Sequence, residues 1–576
     1  MRGGGYDGYG GYGGRGRSSR GPGGVIVIVV ILVVVLVAAG LFVKHRRDAE
    51  AQRRQAQAQA VVTSFLAALS SGDAPAAAAQ VMPARAAAAS TVLSETRAQM
   101  HAVTLRYAVT GPVDSTRRPG AAYRATLEVR GLGPASWTGR VPLQRVGDTW
   151  KVAFTPAVVH PALTDGGHFA YTRERPSRGR ILVADGQSMT LDADLAGNLR
   201  GQVTTAKTDA EAAAAGPRFL KDDDIGTSGL QRAFNETLQG QPGGALSVVD
   251  ADGRTTATVV SARRADGQDV TTSLDLRIQR AAEAAVATVP QAGAIAAVDT
   301  RTGQILALVN HPSAGFGRAI GGKGPPGSTF KIITSAAALI AGIPPSTVLD
   351  CSATTKVNGR TFKNAENEAA GPIGWTKAFA DSCNTWFVRL QDKVPQSTLT
   401  STAALFGFAT DADSTKAQQA AAGILPIRSF GGSYPAPRDR AQAAGQSIGQ
   451  DLVLASPLQM ASVAAAVADG TWRQPVLTSK PGASHALPAG VASTLRGFMA
   501  AVPGPGGTAA KAGLPAGTAG KTGTAETAAS DADPKKTDSW FVGYRGTIAF
   551  AVEFDQAGFG ADVAAPAAAR FLRALG

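Results

Sequence analysis

Cysteine and histidine are scarce in this chain, whose 576 residues hold two Cys, Cys351 and Cys383, and six His. Two cysteines build neither a disulfide framework nor a Cys-rich zinc module, and the histidines form no ligand-spaced cluster. No structural metal and no cofactor are implied. Aromatic residues are also few, at 6%, but a hydrophobic content of 44% is ordinary for a globular protein and excludes a wholly disordered one. At ~150 residues per domain, the length predicts roughly three or four folded units.

Acidic residues are the minority, 43 Asp and Glu against 57 Lys and Arg, which leaves a formal net charge of +14. A basic balance often marks nucleic-acid binding, so the position of the charge decides what it means. Arg2, Arg15, Arg17 and Arg20 precede an apolar run from Val25 to Val43, and Lys44, Arg46, Arg47, Arg53 and Arg54 follow it. Charge placed in that way belongs to a membrane anchor, and no nucleic-acid partner is expected. As a helix the run spans about 28 Å, the thickness of a bilayer core. It is longer than the apolar stretch of a cleavable signal peptide, and Lys44-His45-Arg46-Arg47 stands where a small-residue cleavage site would be. Basic residues on both flanks leave the positive-inside rule silent on orientation. The Gly/Tyr/Arg-rich tail at residues 1–24 has too little apolar content to fold.

A Gln/Ala/Arg linker is expected over residues 44–59, followed by an amphipathic helix from Val61 to Leu69 and an Ala-rich helical stretch to about Ser90. Tyr123, Ala125, Leu127 and Val129 then alternate with polar residues, as do Trp150, Val152 and Phe154, which reads as half-buried strands. Helices followed by a meander predict a small α+β domain at 60–157. Residues 158–270 carry Asp-Gly turns and read as a β-rich connecting module. From residue 271 the expected elements are a helix at Leu276–Thr288, strands at Ala292–Val298 and Gln304–Val309, strands at Ser539–Tyr544 and Thr547–Phe554, and a closing helix at Pro566–Leu575. Strands at both ends of a helical middle predict an antiparallel sheet closed by the two ends, with a helical lobe inserted.

Three short elements carry chemistry. Pro325-Pro326-Gly327 stops the chain before Ser328-Thr329-Phe330-Lys331 and an apolar helical run, so Ser328 falls at a helix N-terminus with Lys331 one turn later on the same face. A neutral amine there can take the proton of a Ser nucleophile, provided that burial and a second cation lower its pKa. The helix N-terminus adds free N–H groups for a developing oxyanion. Ser382-Cys383-Asn384 follows, with a hydroxyl that can relay a proton to a leaving group and an amide that can hold a substrate backbone. Lys521-Thr522-Gly523-Thr524 comes last. Lys521 supplies the second cation and an anchor for a substrate carboxylate, and Gly523 removes a side chain where a substrate would lie as an added strand.

In this order the elements resemble the Ser-x-x-Lys, Ser-x-Asn and Lys-Thr-Gly motifs of the penicillin-binding proteins. Gly449-Gln450-Asp451 with Pro457-Leu458-Gln459-Met460, and Trp540-Phe541-Val542-Gly543-Tyr544, extend the resemblance to the class B transpeptidase domain over residues 271–576. Arg178-Gly179-Arg180-Ile181-Leu182 and Gly226 to Leu230 are similar to that family's pedestal or dimerisation region, and residues 60–157 to its NTF2-like N-terminal domain. The resemblance implies an α+β multidomain protein: a single transmembrane helix at 25–43, the NTF2-like domain, the β-rich pedestal at 158–270 and the transpeptidase domain. It implies Ser328, Lys331, Ser382, Lys521 and Thr524 as catalytic residues, the backbone N–H groups of Ser328 and Thr524 forming an oxyanion hole. Asn384, Thr522 and Gly523 would bind substrate. The implied reaction is D,D-transpeptidation of peptidoglycan stem peptides through an acyl-enzyme that β-lactams also form. Implied partners are a lipid-linked glycan polymerase and a second copy of the chain in a dimer. Peptidoglycan lies outside the cell, which sets a cytoplasmic N-terminus and an extracytoplasmic catalytic domain.

Two departures from the family pattern stand out, Val183-Ala184-Asp185-Gly186 after the Arg-Gly-x-Ile element and a short stretch between Pro312 and Pro325. The rival readings are a D,D-carboxypeptidase, a β-lactamase-like hydrolase and a non-enzymatic β-lactam sensor. Class A β-lactamases place a Glu between the second and third motifs, and this chain has none between Ser382 and Lys521. Cys351 and Cys383 could pair, closing a loop of about 32 residues, or each could be a small buried apolar residue. The second reading is preferred, because a bridge at Cys383 would have to fit inside the second motif. His311 is read as a strand-end residue, since Lys331 already fills the role of base.

Overall fold

The structure, a computed structural model, describes residues 23–191, 199–313, 317–413, 429–527, 530, 533 and 535–576, with side chains absent from the description at 23–31 and 33. Nearly all of the tail expected at 1–24 lies outside the described residues. The chain forms two compact units, Met1–Arg173 with Gly244–Ala262, and Glu174–Gly243 with Arg263–Gly576.

The first unit begins with one helix, α1 (Gly23–Ser71), of 49 residues. The expected linker at 44–59 is therefore helical and continuous with both the apolar run and the Val61–Leu69 segment. Its Ala, Gln and Arg residues are good helix formers and nothing in them stops the helix. Ser71-Gly72 ends it, and Asp73 caps the short α2 (Ala74–Ala79) by accepting from the Ala76 N–H at 2.9 Å. The Ala-rich stretch continues as α3 (Pro83–Gln99), past the expected end near Ser90. Leu32, Leu36 and Phe42 on α1 are exposed, Leu36 to 68%. Among the described residues no helix is long and apolar enough to cross a membrane.

Four antiparallel strands follow in meander order, β1 (Ala102–Val109), β2 (Gly120–Val129), β3 (Gly133–Val146) and β4 (Thr149–Val152). The alternation predicted along β2 is observed, with Tyr123, Ala125, Leu127 and Val129 all buried, against Ala58, Val62, Phe65 and Leu69 in the same core. One carbonyl organises the polar tips in that core: Val159 O accepts from Tyr107 Oη at 3.2 Å, Tyr123 Oη at 3.3 Å and Trp137 Nε1 at 2.9 Å. These three aromatic side chains thus pack in the core with their donors paired. A three-stranded sheet of β5 (His168–Glu174), β6 (Gly243–Val249) and β7 (Thr255–Ala262), in the order β7-β6-β5, draws its strands from the two ends of the stretch read as a connecting module.

In the second unit, Ile181-Leu182 pairs in parallel with Val270-Thr271, and Arg180 binds Asp269 at 2.7 Å. The departure at Val183–Gly186 is a tight turn closed by Val183 N donating to Gln187 O at 2.9 Å. The helix predicted from Leu276 is α4 (Leu276–Val286), capped by Asp275. The main sheet has five antiparallel strands: β8 (Gly293–Asp299), β9 (Ile305–His311), β10 (Ala519–Ala525), β11 (Asp538–Arg545) and β12 (Ile548–Phe554), in the order β9-β8-β12-β11-β10. Strands from both ends of the unit therefore meet at the sheet centre, and the helical lobe lies between β9 and β10 in the chain, as expected. The turn Asp299–Gly303 is held by Asp299 Oδ1, which accepts from the N–H groups of Arg301 and Thr302 at 2.9 Å each. His311 ends β9. Helix α5 (Lys331–Ile340), α6 (Asn384–Gln391) and α7 (Pro457–Asp469) build the lobe side, and α8 (Ala564–Ala574) closes the chain.

One polar cluster is buried with this sheet. Arg318 bonds Asp555 and lies 3.5 Å from Glu553, with Asp538 adding a third carboxyl. Burial, and then the neighbouring Asp555, push the Glu553 carboxyl well above its ordinary value. A carboxyl whose folded pKa is raised takes up protons on folding, so its contribution to stability falls as pH rises above the unfolded value of 4.5. Glu553→Gln is therefore expected to raise the melting temperature at pH 7 and to flatten its decline between pH 5 and 8. Thermal unfolding of both proteins across that range checks this.

Candidate active site

Ser328 sits in a single 3₁₀ turn, Gly327–Phe330, that leads directly into α5. Side chains at i and i+3 eclipse in such a turn, which puts Lys331 Nζ 2.9 Å from Ser328 Oγ. Phe330 anchors the turn from behind, stacked on Tyr434 at 5.5 Å. The second motif reaches the same point by a strained residue. Ser382 has φ +61°, outside the usual region for a non-Gly side chain. That backbone turns its carbonyl to 2.6 Å and its hydroxyl to 3.3 Å from Lys331 Nζ, and Asn384 Oδ1 lies at 2.6 Å. Asn384 Nδ2 donates to Lys363 O at 2.9 Å.

Lys331 is 0% exposed, and so is Lys521. Burial, and then the charge of Lys521, pull the Lys331 amine well below its ordinary 10.5. Burial brings Lys521 down to about 7, with Asp381 opposing. The two conditions asked of a lysine base by the sequence, burial and a neighbouring cation, are both met. Each amine also lies over an aromatic ring, Lys331 at 5.3 Å from Phe387 and Lys521 at 5.6 Å from Phe379.

The third motif forms most of β10, at the edge of the main sheet. Lys521 Nζ donates to Thr522 O at 3.0 Å, and Thr522 Oγ1 shares a 2.7 Å hydrogen bond with Thr508 Oγ1. Gly560 N donates to Thr524 Oγ1 at 3.2 Å. Gly523 is required for an internal reason: a Cβ there would lie 2.7 Å from Thr329 Cγ2 and 2.9 Å from Pro326 O, inside the nucleophile turn. All eight sequence-predicted residues thus belong to one unit. Ser328, Lys331, Ser382 and Asn384 are joined directly by hydrogen bonds, and β10 packs against the turn that carries Ser328.

Cys351 and Cys383 form a disulfide, with Cα atoms 6.2 Å apart. The preferred reading of two separate buried thiols is corrected. The bridge fits inside the second motif because Ser382 and Asn384 serve Lys331, while Cys383 between them faces Asn364 and Thr385. Asn364 is a functional support that the sequence did not announce: buried, it accepts from Thr385 N at 3.1 Å and donates to Ser352 O at 3.0 Å. Thr508 carries no sequence signal either, since it lies in a Gly/Pro-rich stretch without periodicity.

Comparison with known proteins places the whole chain. The penicillin binding protein transpeptidase domain matches residues 293–573, the penicillin-binding protein dimerisation domain residues 189–272, and the NTF2-like N-terminal transpeptidase domain residues 57–167. The chain is 30% identical over 428 residues to the peptidoglycan D,D-transpeptidase PbpA of Mycolicibacterium smegmatis, covering 65% of this chain and 81% of that one. It is similar in fold to Pseudomonas aeruginosa PBP2 solved with WCK 5153, at a TM-score of 0.58 and 23% identity over 70% of this chain and 96% of that one. Helicobacter pylori PBP2 solved with MreC gives a TM-score of 0.61 at 16% identity over 71% of this chain and 99% of that one. With three domain matches in the family's order and a relative of this identity matched over most of its length, the chain belongs to the class B penicillin-binding proteins with an NTF2-like N-terminal domain.

Proposed function

We infer that this protein is a serine-type peptidoglycan D,D-transpeptidase, acylated at Ser328 by a donor stem peptide and by β-lactams. One observation carries the assignment of the base. Ser382 O and Asn384 Oδ1 can only accept, and each lies 2.6 Å from Lys331 Nζ. A neutral amine has two N–H groups, and these acceptors use both. Its lone pair is then left for the hydroxyl proton of Ser328, 2.9 Å away.

The reaction follows from that arrangement. Ser328 Oγ attacks the penultimate D-alanine carbonyl while Lys331 Nζ takes its proton. The oxyanion is held by the N–H groups of Ser328 and Thr524. Ser382 Oγ, within 3.3 Å of Lys331 Nζ, passes the proton to the departing amine of the terminal D-alanine. The amine of an acceptor stem then attacks the ester carbonyl, Lys331 Nζ takes the amine's proton, and as the bond to Ser328 Oγ breaks it delivers that proton to the oxygen, which regenerates Ser328 and neutral Lys331. Lys521 keeps Lys331 neutral by its charge and, with Thr522, receives the substrate carboxylate. Asn384 and Gly523 border the path of the substrate strand.

The exposed apolar side chains of α1 support a further proposal: residues 25–43 cross the cell membrane once, the N-terminus cytoplasmic and the catalytic unit on the peptidoglycan side. Class B chains carry no glycan-polymerising domain, so the substrate is proposed to come from a lipid-linked glycan polymerase working beside this protein.

Incubation of the full chain in detergent with a donor pentapeptide and excess D-amino acid separates transfer from hydrolysis. The exchanged peptide is the expected product. Tetrapeptide alone would assign a carboxypeptidase, and no turnover with a stable penicillin adduct would assign a sensor.

A further inference from the structure

The turn Gly449-Gln450-Asp451 resembles the family in sequence but takes no step in the reaction above. Its contacts reach all three motifs. Gly449 O accepts from Gly327 N at 3.0 Å, which fixes the residue before the nucleophile. The fit is tight: Gly449 has φ +76°, and a Cβ on it would lie 1.9 Å from Gly327 O. No other residue can occupy that position without moving the nucleophile turn. Gln450 N donates to Gly445 O at 3.0 Å, and its side-chain Nε2 donates to Thr524 O at 3.4 Å. Asp451, at φ +59°, receives Arg360 Nη1 on both carboxylate oxygens at 2.8 Å each. Arg360 begins the strand Arg360–Lys363, whose last carbonyl accepts from Asn384 Nδ2 at 2.9 Å. One turn thus ties the nucleophile turn, the third-motif strand and, through a hairpin, the second motif.

Within this turn, Gln450 is the side chain that meets the reacting region. The Thr524 carbonyl faces the nucleophile turn, since a Cβ on Gly327 would lie 2.5 Å from it. That carbonyl belongs to the same residue as the N–H assigned to the oxyanion hole. β10 is an edge strand, so among the described residues no neighbouring strand on this side sets the orientation of its peptide groups. We propose that Gln450 is a positioning residue, whose carboxamide holds the Thr524 carbonyl so that the Thr524 N–H is aimed at the tetrahedral intermediate. The role rests on Ser328 acylation and adds the element that aligns its oxyanion donor. A donor of that kind acts mainly in the transition state, so losing its alignment lowers the rate constant for acylation and leaves ground-state binding nearly unchanged.

Gln450→Met and Gln450→Ala test this in the full chain. Methionine keeps the length of glutamine and lacks the N–H groups, whereas alanine removes both. Stopped-flow acylation by benzylpenicillin separates the acylation rate constant from the dissociation constant of the preceding complex. Both variants are expected to lose about 10- to 100-fold in the rate constant, less than the ~10²- to 10³-fold of deleting an oxyanion donor outright, with the dissociation constant within about twofold. A Gln450→Met variant that acylates at the wild-type rate, or a loss confined to the dissociation constant, overturns the role. Wild-type protein that is not acylated at all contradicts the transpeptidase assignment instead, so the two failures are distinguishable.

Discussion

Replacing Lys331 by methionine is expected to slow acylation of Ser328 by about 10²- to 10⁴-fold, the range for a general base positioned on the reacting proton, while making the protein more stable at pH 7. The two effects have one cause. Lys331 is held in a fully buried site beside a second buried lysine, and its pKa falls well below 10.5. A lysine whose folded pKa is depressed binds fewer protons folded than unfolded, so stability rises with pH up to the unfolded value and is penalised at neutrality. Methionine fills the same space with no proton to lose. Lys521, brought to about 7, is subject to the same penalty, and acylation is expected to rise with pH as Lys331 gives up its proton and to fall again above about 7, where Lys521 loses the charge that receives the substrate carboxylate. Stopped-flow acylation from pH 5.5 to 9, together with thermal unfolding of wild-type and Lys331→Met protein at pH 7, reads all of this. A variant that acylates normally would remove Lys331 from the mechanism. A variant less stable than wild type would mean that Ser382 O and Asn384 Oδ1, left without their donor by methionine, cost more than the buried amine did.

The second large effect is on the fold. Converting Cys351 and Cys383 to alanine opens a closed loop with a sequence separation of 32, and the chain-entropy model puts the loss at about 3 to 4 kcal/mol. The melting temperature of the catalytic unit should fall by several degrees, and treating wild-type protein with a thiol reductant should reproduce the shift. The double variant should then be insensitive to reductant. An unchanged melting temperature would mean that the bridge adds nothing beyond the packing of two small buried side chains.

Most of what the sequence makes legible is local. Ser328 and Lys331 are three residues apart after a Pro-Gly stop, and one helical turn is enough to bring them together. The alternation in β2 marks a half-buried strand wherever it lies in space. The pairing of terminal strands around a lobe followed from the order of the elements. Non-local features were harder to read. The disulfide depends on the positive φ of Ser382, which lets one tripeptide serve two sides, and no spacing rule encodes that angle. The continuity of α1 through residues 44–59 is hidden by polarity, because the segment is charged like a linker although its residues favour helix. The contacts that a Cβ at Gly523 would make with Thr329 and Pro326 lie about 200 residues away in the chain, so its internal role is invisible in the sequence. The attachments of Gln450 span the chain from residue 445 to 524, and no periodicity joins those positions.

The central claim is that Ser328 is the residue acylated and Lys331 its base. Labelling the full chain with a fluorescent penicillin, beside Ser328→Ala and Lys331→Met, tests it most directly. Wild-type protein should carry a stable label mapping to the peptide that contains Ser328, Ser328→Ala should carry none, and Lys331→Met should label only over much longer times. Equal labelling of Ser328→Ala and wild type would contradict the account.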